Sequence, residues 1–268
     1  MDRYILKIYR HFHTEFAKNS IEILKYLASQ DFPTARIVAA ADGSFYTEIE
    51  TPVGNSVAVL YEYIDGEEPA DTDLSDIATQ TGTFHNLMDG YIGVIARRGR
   101  EHFIERYINL LSAIDFPKSE LLDIENYGRA LWRRFSLSSQ GFCHGDYHCG
   151  NMLKKDSRFW FFDFDSACYS HPIIDIAVIC DETNYFNAQG IDFDRTTQKL
   201  EHFLRNYEKT RHGKFGDIDI KSVYDFIAIR HYDIQATITD CQGYTMENLL
   251  NQHRWLMTWQ NICEQKME

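Results

Sequence analysis

Two apolar runs, each followed directly by polar residues, constrain the fold of this chain more than any other feature. The first run begins at Phe142 and leads into a short loop that carries His144, Asp146 and Asn151. The second run ends at Asp163, which lies 12 positions after Asn151. Short apolar runs bounded by polar residues are typical of buried strands. The pattern predicts one pocket that contains a catalytic base and two oxygen ligands for a hard cation.

The spacing within this pattern favours phosphoryl transfer from Mg·ATP. Protein kinases carry an H-R-D-x-x-x-x-N loop followed by an Asp at the end of a strand, and Asp146 and Asn151 are likewise 5 positions apart. In this interpretation Asp146 accepts the proton of an attacking hydroxyl. Asn151 and Asp163 supply oxygen ligands to Mg²⁺, which keeps few protein ligands, and His144 braces the loop by hydrogen bonding. The predicted cofactors are ATP and Mg²⁺.

A lysine on the first predicted strand completes this interpretation. Lys7 would reach the α- and β-phosphates of ATP, oriented by a carboxylate on the following helix. Glu22, 15 positions later, is the predicted partner, and Glu15 is a weaker one. Taken alone, a lysine on a strand near an N-terminus is more often exposed to solvent than catalytic.

A different metal chemistry is an alternative at the same loop. His144, Asp146 and His148 alternate as H-x-D-x-H and could bind zinc, which would indicate a metal-dependent hydrolase. This alternative makes no use of Asn151 or of the strand that carries Lys7. Stoichiometric zinc would distinguish it from an Mg·ATP enzyme.

Composition restricts the partners of the protein. The 268 residues have a formal net charge of −13, which argues against non-specific binding of nucleic acid. An acidic surface would suit a cationic substrate, but solubility explains it equally well. The six cysteines include no C-x-x-C pair, which fits a reducing compartment. No apolar segment reaches the roughly 18–20 residues of a membrane span, so we expect a cytoplasmic protein with no membrane partner.

Local patterns predict an α+β protein with two lobes. A helix is expected over Thr14–Ala28, and the pattern is mostly helical after about Asp73, whereas Phe142 to Asp165 is rich in strand residues. The helical segments predicted after Asp73 are Leu74–Leu87, Ile104–Leu111, Ile173–Asp181, Thr196–Tyr207, Ser222–Thr239 and Met246–Glu264. Predicted lobe boundaries are 1–65 for a small N-terminal nucleotide-binding lobe and 66–268 for a larger helical lobe that binds substrate and carries the catalytic residues. Predicted N-terminal strands are Tyr4–Arg10, Ile37–Ala40, Phe45–Ile49 and Val57–Ile64.

The loop and strand motifs resemble those of the aminoglycoside phosphotransferase and choline kinase family. His144-Gly-Asp-x-His-x-Gly-Asn151 is similar to the family's H-G-D-x-H-x-x-N loop, and Phe161-Phe-Asp-Phe-Asp165 to its metal-binding segment. Weaker cues are similar to bacterial homoserine kinase-like and stress response kinase A-type proteins. The resemblance implies a protein-kinase-like fold and small-molecule kinase activity. It also implies that Asp175 braces the loop and that the backbone of Glu62, Tyr63 and Ile64 holds adenine.

The chain departs from the family pattern in two places. Alignment of the leucine pattern on the first helix puts the family's glutamate position at Ser20 and not at Glu22. The family's hairpin over the ATP phosphates, which needs roughly 10–15 residues, has no counterpart, because only six residues precede Lys7 and no G-x-G-x-x-G occurs. Either the true start lies upstream, which we favour, or the protein is a lidless homologue that binds a nucleotide or metabolite without turnover.

The expected substrate is a small molecule with a reactive hydroxyl, such as an aminoglycoside, choline or homoserine. Acidic residues at 181 and 182 would suit an amine-bearing substrate, although a solvated helix end explains them as well. Substrate identity and oligomeric state do not follow from the sequence. Candidate substrate residues are Asp165, Tyr169, Asp181, Glu182, Tyr185 and His231.

Overall fold

The structure, a computed structural model, describes residues 3–211 and 220–267. Its strands are β1 (Tyr4–Tyr9), β2 (Thr47–Thr51), β3 (Gly54–Glu62), β4 (Gly141–Cys143), β5 (Met152–Lys155), β6 (Arg158–Phe161) and β7 (Cys168–Ser170). Its helices are α1 (Thr14–Ser29), α2 (Leu74–Met88), α3 (Arg106–Ser112), α4 (Lys118–Phe135), α5 (Ile173–Cys180), α6 (Gly190–Thr210), α7 (Ile220–Gln242) and α8 (Met246–Lys266). The predicted mixture of helix and sheet is confirmed.

The described chain divides into two compact units, each assembled from separate stretches of sequence. The first unit comprises 3–96, 142–168 and 206–211, and the second comprises 97–141, 169–205 and 220–267. These units describe packing and not function, so the predicted lobes 1–65 and 66–268 stay a prediction.

An antiparallel sheet in the order β1-β3-β2 places Lys7 in the first unit. In this sheet Lys7 pairs with Val59 and Tyr9 pairs with Val57. Side chains alternate between the two faces of a strand, so Lys7 and Tyr9 share a face. Tyr9, Val57 and Val59 form a small buried core with Ala17 of α1, which fixes β1 against that helix.

The hairpin β5–β6 delivers Asp163 in the same unit. Met152 pairs with Phe161 across the hairpin. Its turn residues Asp156 and Ser157 both have positive φ, 52° and 62°, as a tight two-residue hairpin turn requires. Phe161 is fully buried and packs edge-on against Phe84, so the strand is anchored immediately before the residue that it presents.

The second unit is mostly helical. Its buried aromatic residues include Tyr107, Tyr232 and Trp259, and the Tyr232 hydroxyl donates to the Ile124 carbonyl at 2.9 Å. The Arg134 guanidinium of α4 binds the buried Asp225 carboxylate of α7 through three contacts of 2.6–3.2 Å. Among helices that the structure describes, none is long and apolar enough to cross a membrane.

Most predicted elements are confirmed, with two exceptions. The strand predicted over Ile37–Ala40 is wrong, since Ile37 makes only an isolated bridge to Tyr61. The chain turns immediately afterwards, where the Ala40 N–H donates to the Ser44 carbonyl at 2.8 Å. The second exception is α4, which is absent from the predicted elements.

Candidate active site

The loop between β4 and β5 holds Asp146 and Asn151 together. The Asn151 side-chain amide donates to the backbone carbonyl of Asp146 at 2.8 Å and to its Oδ2 at 3.1 Å. His148 accepts the Gly150 N–H on Nδ1 at 3.1 Å, and its Nε2 lies 3.4 Å from Asp146 Oδ2. Because the Asn151 amide nitrogen is engaged with Asp146, its oxygen is the atom left for a cation.

A glycine is required at the start of this loop. Gly145 has a φ of +83°, in the region that side chains with a Cβ rarely adopt. A Cβ at this position would also overlap the carbonyl oxygen of Ser166. The loop therefore approaches the segment after Asp163 more closely than any other residue type would permit.

Phe162 connects the loop to Asp163. Its N–H donates to the Asn151 carbonyl at 3.2 Å, and its carbonyl lies 3.0 Å from His144 Nε2. This contact is of the kind that the predicted bracing role of His144 requires, and the role itself stays a prediction. The backbone role of Phe162 has no sequence signature, because any residue can supply an N–H and a carbonyl.

Asp163 has an unusual backbone conformation. Its φ of 62° and ψ of 60° place it in the left-handed region, which costs roughly 1–3 kcal/mol for a non-glycine residue. Such outliers are concentrated at functional sites. The conformation lets the chain turn directly after β6, so that Asp163 faces the strand that carries Lys7.

Lys7 is paired with two carboxylates of this turn. Its Nζ lies 2.9 Å from Asp163 Oδ1 and 2.6 Å from Asp165 Oδ2. Burial by itself lowers the pKa of Lys7, but hydrogen bonds and charge from Asp165 and then Asp163 outweigh it, and the net pKa is raised. The ammonium is therefore charged at neutral pH.

The predicted pairing of Lys7 with Glu22 is not formed. Glu22 lies on α1 but faces solvent, with its side chain 59% exposed, and pairs with Lys25 at 2.9 Å. The alternative Glu15 lies 3.7 Å from Lys18. The α1 residues that line the cavity beside Lys7 are Ser20 and Leu24, and both are uncharged. The helix register decides this outcome, since Ser20 and Glu22 face different directions.

A cavity of about 280 Å³ adjoins Lys7 and Asp163. Its apolar wall suits a planar base, and its charged end suits phosphate, so the described residues fit a nucleotide. The predicted adenine segment Glu62, Tyr63 and Ile64 lies on this wall. Residues that supply the apolar wall include Ile5, Leu24, Ala35, Leu153 and Phe162.

The backbone of that segment is partly committed. The Glu62 N–H donates to the Arg36 carbonyl at 2.9 Å and the Tyr63 N–H to the Arg3 carbonyl at 3.1 Å. A base held here would therefore use the Ile64 N–H or backbone carbonyls of the segment.

Two of the predicted substrate residues, Asp181 and Glu182, are neutralised within the second unit. Asp181 accepts the Thr183 N–H at 2.8 Å and lies 3.7 Å from Arg230. Glu182 pairs with Lys199 at 2.5 Å. These ion pairs remove the reason to expect an amine at residues 181 and 182.

The aromatic candidates of the second unit also have internal contacts. His231 is buried, and its ring stacks on that of Trp255 with the ring centres 3.4 Å apart. Its Nδ1 lies 3.1 Å from the Gln252 side-chain oxygen. These contacts place it in the core of the second unit, and its assignment to substrate stays a prediction. The Tyr185 hydroxyl accepts a hydrogen bond from the Gln235 side-chain amide. The Arg97 guanidinium carbon lies 4.4 Å from the centre of the Tyr169 ring.

The zinc alternative finds no support in the described part of the chain. There, no group of three or more His, Cys, Asp or Glu side chains is arranged to hold a metal ion. His144 Nε2 and His148 Nδ1 are both engaged with the backbone. The remaining donors, Asn151 and Asp163, are hard oxygen ligands of the kind that suits Mg²⁺.

The chain belongs to the phosphotransferase enzyme family, whose model matches residues 2–212. The predicted resemblance to aminoglycoside phosphotransferases and choline kinases is confirmed at this level. Among curated proteins, an uncharacterized protein of Synechocystis sp. is 25% identical over 195 residues, which is 66% of this chain. The match spans only 53% of that relative's length.

Solved kinase structures share the fold. An amicoumacin kinase in complex with AMP-PNP, Ca²⁺ and its ligand has a TM-score of 0.74 at 20% identity, covering 96% of this chain and 81% of its own. A microcompartment-associated aminopropanol kinase has a TM-score of 0.76 at 16% identity, with 96% and 84% coverage. The choline kinase LicA of Streptococcus pneumoniae has a TM-score of 0.67 at 14% identity, with 97% and 86% coverage. The predicted kinase-like fold is therefore confirmed.

Proposed function

We propose that this protein transfers the γ-phosphoryl group of ATP to a hydroxyl group of a small molecule, with Mg²⁺ as cofactor. The observation that carries the proposal is the proximity of two pairs, Lys7–Asp163 beside an apolar cavity and Asp146–Asn151 on the adjoining loop. The backbone of Phe162 links them through its hydrogen bond to the Asn151 carbonyl. All four residues belong to the same compact unit.

Each residue has a defined task in this proposal. The substrate oxygen forms a bond to the γ-phosphorus while the bond from that phosphorus to the bridging oxygen breaks, and ADP leaves with the electron pair. Asp146 takes the proton of the attacking hydroxyl. Its orientation is held by Asn151 at 3.1 Å, and Lys7 is placed to contact the phosphates. Bound Mg²⁺ would neutralise phosphate charge, held by the oxygens of Asn151 and Asp163.

The substrate class is supported by the neighbouring structures at a coarse level. They include kinases named for choline, for aminopropanol and for the antibiotic amicoumacin. We therefore propose an amino alcohol or an aminoglycoside-like compound. Since residues 181 and 182 are already paired internally, recognition of an amine would rely on other residues.

The proposal is tested first by a screen and then by a variant. ADP release is measured with the purified chain, Mg·ATP and a panel of amino alcohols and aminoglycosides, and we expect one acceptor to stimulate it. Asp146→Asn should then lower the rate by about 10²–10⁴-fold, the usual contribution of a general base, with ATP binding retained.

Asp156→Asn is the matched control, because it makes the same chemical change at an exposed turn residue of the same unit. It should leave the rate unchanged. Unimpaired transfer by the Asp146→Asn variant would show that the base is misassigned. Tight Mg·ATP binding with no acceptor in the panel would favour the non-catalytic binding protein.

A further inference from the structure

Lys7 needs a fixed carboxylate partner to present its charge to a phosphate. A lysine side chain is a flexible four-carbon stem with a point charge, and protein kinases hold the equivalent lysine with a helix glutamate. In this chain the helix supplies no such group, because Glu22 pairs with Lys25 and Ser20 is uncharged. The ammonium must therefore be oriented from elsewhere.

Asp165 has the contacts that this task requires. Its Oδ2 lies 2.6 Å from Lys7 Nζ, and its Oδ1 accepts a hydrogen bond from the Tyr9 hydroxyl at 3.1 Å. The Tyr9 hydroxyl in turn lies 3.2 Å from the Tyr61 hydroxyl. Both carboxylate oxygens are thus engaged by residues of β1. Tyr61 of β3 contacts the carboxylate only through the Tyr9 hydroxyl.

Asp163 is less suited to the same task. Its side chain is 44% exposed, against 30% for Asp165. Its oxygen also lies farther from Lys7 Nζ, at 2.9 Å against 2.6 Å for Asp165. If Asp163 is a ligand of Mg²⁺ in the proposed function, its charge is shared with the cation. Asp165 would then remain the carboxylate that pairs with Lys7 without sharing its charge with the cation.

We propose that Asp165 is a positioning residue that holds Lys7 toward the phosphates of ATP, with Tyr9 and Tyr61 holding Asp165. The proposal rests on the proposed function, since it assumes that ATP enters the cavity beside Lys7. It replaces the predicted role of Asp165 as a substrate residue, because both oxygens of its carboxylate are already engaged, one by Lys7 and one by Tyr9. Burial supports the network by raising the pKa of both tyrosines, which keeps their hydroxyls protonated.

The test measures nucleotide binding and needs no acceptor. Dissociation constants for ATP and for adenosine are determined by calorimetry for the wild type, Asp165→Asn, Lys7→Met and the double variant. Asp165→Asn should raise the dissociation constant for ATP about 10-fold, which corresponds to the usual contribution of a charged hydrogen bond. It should change the dissociation constant for adenosine by less than about 2-fold, since adenosine has no phosphate.

The double variant decides whether Asp165 acts through Lys7. Residues that interact with each other have non-additive effects on the binding free energy. Adding Asp165→Asn to Lys7→Met should therefore raise the dissociation constant for ATP by less than about 2-fold further. Multiplicative effects of the two substitutions would overturn the proposal. Equal weakening of adenosine and ATP would overturn it as well, because that result indicates general damage to the cavity.

Repeating the titrations in EDTA separates positioning from metal binding. If Asp165→Asn lowers the affinity for ATP only when Mg²⁺ is present, Asp165 is a metal ligand and the positioning role is refuted. Asp156→Asn again serves as the control and should bind both ligands as the wild type does. Failure of the wild type to bind ATP would instead contradict the proposed function itself.

Discussion

Gly145 combines two separate constraints, a left-handed backbone and a close approach to the Ser166 carbonyl. Gly43 shares the first constraint, with a φ of +84°, but no atom lies within 4 Å of the position where its Cβ would be. The two glycines therefore allow backbone strain and steric overlap to be measured separately.

We expect Gly145→Ala to destabilise the protein more than Gly43→Ala does. Left-handed conformation costs a non-glycine residue roughly 1–2 kcal/mol, and both variants bear this cost. Only Gly145→Ala adds the overlap with Ser166, which would displace the loop that carries Asp146. Thermal denaturation of both variants gives the comparison, and equal losses of stability would show that the loop accommodates a Cβ.

Helices α4 and α7 are joined by an ion pair of unequal burial. The Asp225 side chain is only 5% exposed, whereas that of Arg134 is 52% exposed. Hydrogen bonds to Asp225 raise the pKa of Arg134 against the opposing effect of burial. The pair thus supplies a counter-charge to a buried carboxylate.

Arg134→Met should lower the free energy of unfolding by about 1–3 kcal/mol, the range for loss of a charged hydrogen-bond partner. The partial exposure of the arginine keeps this below the cost of breaking a fully buried pair. Arg133→Met makes the same change at the exposed neighbouring position and should stay within about 0.5 kcal/mol. Urea denaturation measures the free energy of unfolding of both variants. Equal values would contradict a stabilising role for the pair of Arg134 and Asp225.

Acid should destabilise the protein well above the pH at which its carboxylates titrate. Burial lowers the pKa of His231 from 6.5 to about 3. Between these values the unfolded chain binds a proton that the folded chain does not, so the free energy of unfolding falls as the pH falls. For this one histidine the loss between pH 7 and pH 5 is roughly 2 kcal/mol.

The His231→Phe variant tests this assignment. Phenylalanine can still stack on Trp255 but cannot titrate, so the variant should lose less stability than the wild type between pH 7 and pH 5. Tryptophan fluorescence during urea denaturation reports the unfolding transition, and Trp255, whose ring contacts residue 231, contributes to the signal. Identical pH dependence in the two proteins would mean that other groups cause the acid sensitivity.

Local sequence predicted those parts of the protein that depend on neighbours along the chain. Asp146 and Asn151 are joined within one loop, and their spacing alone was sufficient to pair them. The helices with a clear apolar stripe were predicted for the same reason. The stripe of α4 at Ile124, Tyr127, Leu131 and Phe135 has this spacing too, although α4 is absent from the predicted elements.

Tertiary structure decided the contacts between residues far apart in sequence. Lys7 and Asp165 are separated by 158 positions, and Glu22 was excluded only by the direction in which its side chain leaves α1. The burial of His231 likewise depends on rings contributed by other elements. Sequence therefore determined which chemical groups the site contains, because motif spacing is local. The fold determined which of them meet, because an ion pair depends on distance and burial in space.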